Sequence, residues 1–403
     1  MAEKNEKSNL YNASASLMGY LYQCRVALLE SIKRLPMGIE FIIKIEILDD
    51  VSFEKEGSPA ELLQTKHHVN QVGNLTNAAP DIWKTIRIWC EGILSEDIKI
   101  TSKLYLITNA TADETTIAGM LKSTSRNING ALNIMNNISS TSSNATNEAA
   151  YKVFRSLSHQ QKLQLLDSII VVDSYSGIDN IEKDIKDELF HAVDKKYLDQ
   201  LFVRLEGWWY GRIICMFTKT QFKPILSEEL MAQIKDLRNQ LRDDNLPIDD
   251  DVFDMKIEDC KDYEEAPFVS QLKLIGINNK RIVHAVRNYY RAFYQRSRWY
   301  KDKLLLIGEL SKYEDRLFEE WEVRYLQMVD ECGEVEAEDA KIKAAQQLYK
   351  WAEVESLPTI RNVEQPFISR GSLHMLANEL KIGWHPDFKK LLEKVLGVGE
   401  LCD

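Results

Sequence analysis

Over the first 110 residues the spacing of apolar side chains changes several times, and each change marks an element. Residues 13–35 place Leu17, Tyr20, Leu21, Val26, Leu28 and Leu29 on one broad apolar face at helical spacing. Ser14 or Ser16 can cap this helix, and Pro36 and Gly38 end it. The period then shortens. Residues 39–54 are rich in isoleucine and alternate apolar with charged from Ile43 to Ile47, the pattern of a strand. Gly57, Ser58 and Pro59 make a turn, and 60–69 reads as a second strand. A helix over 81–94 and a buried strand over 103–110 follow. The order is helix, strand, strand, helix, strand.

From 123 to 147 the chain is dominated by Asn, Ser and Thr, which predicts a surface loop or spacer. Helices are expected at 148–166, 178–190 and 196–221, with a short strand at 169–173. Beyond Pro224 nearly everything to residue 355 fits helical periodicity. The segment 356–403 carries Pro358, Pro366, Gly371, Gly383 and Pro386, so it is expected to be irregular before closing on a short helix. Two domains result: α/β over 1–225, with the polar loop near 123–147, and mostly α-helical over 226–403.

Composition narrows the class. The 403 residues are 44% hydrophobic and 28% charged, the balance of an ordinary globular chain and not of a fibrous or disordered one. No apolar run approaches the length needed to span a bilayer, so no membrane is expected as a partner. The polar start, MAEKNEKSNLYN, does not read as a signal peptide, and a cytoplasmic location is expected. Six cysteines without a CxxC pair argue for reduced thiols and against a zinc ribbon. The net charge of −11 argues against a nucleic-acid coat over the whole surface but leaves room for a local basic groove.

Candidate chemistry concentrates in 45–68, IEILDDVSFEKEGSPAELLQTKHH. Alternate side chains of a strand share a face, so Gln64 and Lys66 project together while Thr65 goes to the other side. Pairing through the turn brings Asp50 beside them. One carboxylate, one amide oxygen and one ammonium around a point suit Mg²⁺, with Mn²⁺ as a substitute, and a phosphate ester. Asp50 and Gln64 are the candidate metal ligands, and Lys66 is the catalytic cation that steadies developing negative charge. Glu46 has the parity of Asp50 and is an auxiliary candidate; Asp49, turned away by the alternation, is a weaker one. Gln23, on the first helix, has two readings: support of a ligand, or satisfaction of backbone groups. His67 and His68 follow Lys66 directly, as phosphate contacts or as exposed strand-end histidines.

Helix, strand pair with D…QxK, helix and strand resembles the PD-(D/E)XK nuclease core, in the variant with Gln at the acidic position. GYLYQ (19–23), EILDDVSFE (46–54) and LLQTKHH (62–68) are similar to the double-stranded-DNA endonuclease domain of CBASS-type and related anti-phage effectors. The resemblance implies an α+β fold class, with a restriction-endonuclease-like α/β core ahead of the helical domain. It also implies Mg²⁺-dependent hydrolysis of double-stranded DNA.

The C-terminal half adds a basic stripe. RIVHAVRNYYRAFYQRSRWYKDK (281–303) holds seven arginines and lysines against one aspartate. Arg287, Arg291 and Arg298 share a helical face with Tyr290 and Tyr294, which suits contact with DNA phosphates or an acidic partner. The other reading pairs these arginines with the carboxylate-rich stretch 314–322. His374 and His385 are too far apart, with no third ligand, to make a metal site. GELSKYEDRLFEEW (308–321), LYKWAEV (348–354) and PFISRGSLHMLANELKIGWHPDF (366–388) resemble the C-terminal domain of effectors in three-component ABC-ATPase, Lamassu-type defence systems. That resemblance implies that the helical domain, 226–403, docks to an SMC-like ABC ATPase subunit and does no chemistry itself, and it implies two further partners: a small third subunit, and a homo-oligomer when active. Activity would then be held back by assembly and freed by release. Two other readings stay open: a non-catalytic adaptor with a nuclease-like fold, and a stand-alone restriction-type enzyme, although no helix-turn-helix or zinc motif is present to read sequence.

Overall fold

The structure is a computed structural model. It describes residues 2–47, 49–55, 58–66, 73–218, 223–256, 263, 265–333, 337–355 and 357–396, with side chains described from 16 to 393. The chain divides into two compact units, Met1–Leu237 and Arg238–Asp403.

The first unit opens with α1 (Ala2–Arg34), followed by β1 (Ile42–Ile45), β2 (Val51–Lys55), β3 (Ser58–Lys66), α2 (Pro80–Leu94) and β4 (Lys103–Thr108). Then come α3 (Ile117–Met120), α4 (Ile128–Thr141), α5 (Glu148–Ser156), α6 (His159–Ser168), β5 (Ile169–Val172), α7 (Ile181–Glu188), α8 (Leu198–Thr218) and β6 (Ile225–Leu226). The six strands form one mixed sheet in the order β5-β4-β3-β2-β1-β6. β1, β2 and β3 are antiparallel neighbours, whereas β3, β4 and β5 run parallel. Because side chains alternate along a strand, Leu62, Leu104, Leu106, Ile169 and Val171 share one face. There they pack with Ile82, Trp83, Ile86 and Trp89 of α2 and with Met135, Tyr151 and Phe154 of α4 and α5. On the opposite face Arg34 of α1 lies over the Phe53 ring and donates to Glu61 of β3. Helices thus cover both faces, which dries the parallel strands.

The hydrophobic pattern is corrected in three places. The expected strand over 39–54 is two strands. Glu46 has φ 56°, a left-handed conformation that an extended strand cannot contain, and its N–H closes a turn on the Asp50 carbonyl at 3.0 Å. The expected spacer over 123–147 contains α4, a helix that buries Ala131, Leu132 and Met135. Its polar composition conceals apolar residues at helical spacing, and Asn127 caps its start by accepting from the Gly130 N–H. The expected irregular segment near 366 is helical as well, as described below.

The second unit begins at Arg238, inside α9 (Ser227–Gln240). The second unit consists of α10 (Pro267–Leu274), α11 (Asn279–Lys301), α12 (Glu309–Cys332), α13 (Glu338–Val354), α14 (Pro366–Asn378) and α15 (Phe388–Leu396). Pro366 sits in the first turn of α14, where its missing N–H costs nothing. Gly371 lies mid-helix because α14 crosses α11 there: a Cβ would come within 2.2 Å of the Asn288 carbonyl oxygen. Among the described residues no helix is long and apolar enough to cross a membrane. Cys24, Cys90, Cys215 and Cys332 are free thiols.

Candidate active site

The β2–β3 hairpin pairs Val51 with Leu63, so Asp50, one residue before β2, falls beside Gln64. Thr65 fixes it there. Both the N–H and the hydroxyl of Thr65 donate to Asp50 Oδ2, at 2.7 and 2.9 Å. Gln64 and Lys66 share the opposite face of β3, the one turned toward α2.

These residues line one cavity of about 450 Å³. Its walls are Gln23 and Tyr20 from α1, Glu46, Asp49 and Asp50 from the β1–β2 connection, Gln64 and Lys66 from β3, and Lys84 from α2. All six residues singled out around the D…QxK pattern therefore meet in one place. His67 and His68 lie outside the described residues.

Strand parity does not govern Glu46 and Asp49, because both stand in a turn. Asp49 is buried, and its carboxylate accepts from the Trp89 indole N–H at 2.7 Å and from the Asp50 N–H at 3.1 Å. Burial pushes the Asp49 carboxyl up to about 7; the charge of Asp50 adds to this, while the indole bond and Lys66 oppose it. Glu46 stands at the exposed rim, yet the protein around its carboxylate withholds enough solvent to raise its pKa, and Asp50 adds to the rise. A hydrogen bond from Gln23 and the charge of Lys66 act in the other direction.

Two amide oxygens in this cavity are orphans. Gln64 Oε1 and Gln23 Oε1 are buried and have no hydrogen-bond partner among the described residues. A buried polar atom left unpaired is costly and calls for a ligand. Gln64, only 3% exposed, is one of the residues that line the cavity. Asp50 and Gln64 are thus two oxygen donors fit for a hard cation, which keeps waters and takes substrate oxygens for its remaining ligands. Among the described residues no group of three or more His, Cys, Asp or Glu side chains is placed to hold a metal, so any cation here relies on that mixed donor set.

Sequence reading missed Lys84 and Tyr20. Nothing in the chain order ties α2 or the exposed side of α1 to the hairpin; only the packing does.

The basic stripe on α11 is partly spent on its own unit. Arg298 makes a two-pronged bond to Asp251, at 2.5 Å for each nitrogen, with Asp249 at 3.6 Å. Arg291 donates to the Phe253 carbonyl at 2.6 Å and sits over that ring. Arg281 pairs with Glu353 and the buried Arg296 with Glu314. Of the carboxylate-rich stretch 314–322, Glu314 takes one of these arginines. Burial lowers the pKa of the Arg291 guanidinium, and the charge of Arg287, a turn away, adds to this. His374 and His385 do not converge on a ligand. His374 is enclosed by Phe268, Tyr349 and Trp384, ring centroids 5.6, 6.0 and 6.3 Å away.

The chain therefore joins a mixed α/β sheet unit with a polar cavity to a helical unit. Residues 268–392 match the family model of C-terminal domain 7 of the ABC-three component (ABC-3C) systems. The match supports membership of the chain in such a multi-component system. Among solved structures, the chain is similar to the Acinetobacter baumannii Cap4 SAVED/CARF-domain containing receptor. With the cyclic trinucleotide 3'3'3'-cAAA, that receptor shows 14% identity, a TM-score of 0.33, and coverage of 55% of this chain and 49% of its own. A second structure of the receptor gives 14%, 0.33, 54% and 47%. The chain spans about half the length of these structures. No curated protein matches it.

Proposed function

We propose that the protein is a Mg²⁺-dependent endonuclease for double-stranded DNA, with a restriction-endonuclease-like core, serving as the effector of a Lamassu-type, three-component antiviral defence assembly. The observation that carries the catalytic part is the convergence of Asp50, Gln64 and Lys66 on one cavity, with the Gln64 oxygen buried and unpartnered. When bound, Mg²⁺ supplies Lewis-acid polarisation of a phosphate ester. Asp50, held by Thr65, and Gln64 would hold it. Lys66 places an ammonium where negative charge builds on the phosphoryl oxygens. Glu46, hydrogen-bonded by Gln23 at the cavity rim, would accept a proton from water. The defence role is supported by the match of the C-terminal unit. An SMC-like ATPase, a small third subunit and self-association belong to the same reading, which makes assembly the restraint on a toxic activity.

A non-catalytic adaptor is the competing reading: among the described residues no three His, Cys, Asp or Glu side chains are placed together to hold a metal. Plasmid cleavage separates the two. The purified protein, with and without its partner subunits, is expected to nick or linearise supercoiled plasmid in Mg²⁺ and not in EDTA. Failure to cut under every condition, DNA ends included, would leave the adaptor.

A further inference from the structure

The loop between α11 and α12 shows an unusual combination of full exposure and tight anchoring. Tyr300, Leu306 and Ile307 are 76%, 71% and 104% exposed, clustered within eight residues of chain. Scattered apolar side chains at a surface are ordinary; a group held out together, Tyr300 from the end of α11 and Leu306 and Ile307 from the loop after it, marks an interaction site.

The loop is held from behind. Arg361 donates to both carboxylate oxygens of Glu309, at 2.7 Å each, and to the carbonyls of Leu304 and Asn245. Glu309 in turn accepts from the Leu306 N–H at 2.8 Å. Backbone bonds from Lys303 to Tyr300 and from Leu304 to Trp299 close its start. Lys303 and Arg361, neither a glycine, stand at φ 57° and 48°, a strain kept only where the surroundings enforce it. A loop fixed at such cost, with Leu304 buried and its neighbours turned outward, is preorganised for binding.

We propose that this loop is a docking knob for another protein subunit of the assembly, one that offers an apolar pocket rimmed by carboxylates. Charge selects the partner: Lys301 and Lys303 are exposed and line one cavity with Tyr300, Leu306 and Ile307, while the carboxylate of that lining, Glu309, is taken up by Arg361. Shape selects a protein over a lipid surface. A cavity of about 600 Å³ lies between Tyr300 and Ser311, so the site both inserts side chains and receives one. The loop also lies within the segment that matches a domain of a three-component system. The inference rests on the chain being one subunit of such an assembly, and is independent of whether the N-terminal cavity cuts DNA.

The test uses the full-length chain co-expressed with each of the other subunits of its system, with affinities measured on purified proteins. Leu306→Asp/Ile307→Asp is expected to weaken binding to one subunit roughly 100-fold, while Lys66→Ala binds as wild type. Lys301→Glu/Lys303→Glu is expected to weaken it roughly 10-fold and to flatten its salt dependence. Since the substituted side chains are exposed, thermal melts should not move. Unchanged subunit affinity in the aspartate variant would overturn the proposal. So would a loss seen only in binding to phosphatidylserine vesicles, which would make the knob a membrane contact, or only in self-association, which would make it a contact between copies.

Discussion

At Asp50 one carboxylate oxygen takes two hydrogen bonds from Thr65, whereas its neighbour Asp49 is withdrawn from solvent and held by an indole. The two acids thus have different work. Asp50 is available to a ligand at the cavity wall, and Asp49 ties the β1–β2 turn to α2 through Trp89. Trp89→Phe removes that donor from a buried acid, and is expected to destabilise the first unit by roughly 1–3 kcal/mol in chemical denaturation. No change would mean that the bond does not hold the turn. Of the site's residues, Asp50, Gln64 and Lys66 were legible because hairpin register follows from strand alternation and turn position. The environment of Asp49 was not, because parity was carried through a turn that breaks it at Glu46, a non-glycine residue with positive φ.

At the scale of elements, composition and periodicity disagreed over α4, and periodicity was the better guide. An Asn/Ser/Thr-rich stretch dilutes the apolar side chains without removing the ones that matter, Ala131, Leu132 and Met135, which α4 sets against the core over α2. Met135→Ala should therefore cost about 2–5 kcal/mol, as a cavity in a packed core does. A polar change on the exposed side, Asn133→Ala, should stay within about 0.5 kcal/mol. Equal, small effects at both positions would restore the spacer. The C-terminal prolines and glycines misled in a related way. Pro366 starts a helix and Gly371 permits a close crossing, roles that depend on a neighbour absent from the local sequence.

At the scale of the whole molecule, the two units carry separate tests. In the C-terminal unit, burial among aromatic rings pushes the His374 imidazole down to about 3. The unfolded chain titrates near 6.5, so between about 6.5 and 3 it binds a proton that the folded state refuses, and stability falls as pH falls through that window. Between pH 7 and 5 the wild type should lose on the order of 2 kcal/mol more than His374→Phe, followed by denaturant unfolding. Parallel pH profiles would show that His374 does not stay neutral. In the N-terminal unit the decisive quantity is the rate of plasmid cleavage in Mg²⁺ by wild type and by Lys66→Ala, under whichever subunit conditions release activity. Loss of roughly 100-fold or more with an unchanged melt is the expected result, because in the proposed reaction Lys66 would face the developing charge. Mg²⁺-dependent cleavage that persists in Lys66→Ala would contradict the assignment of this cavity as the active site.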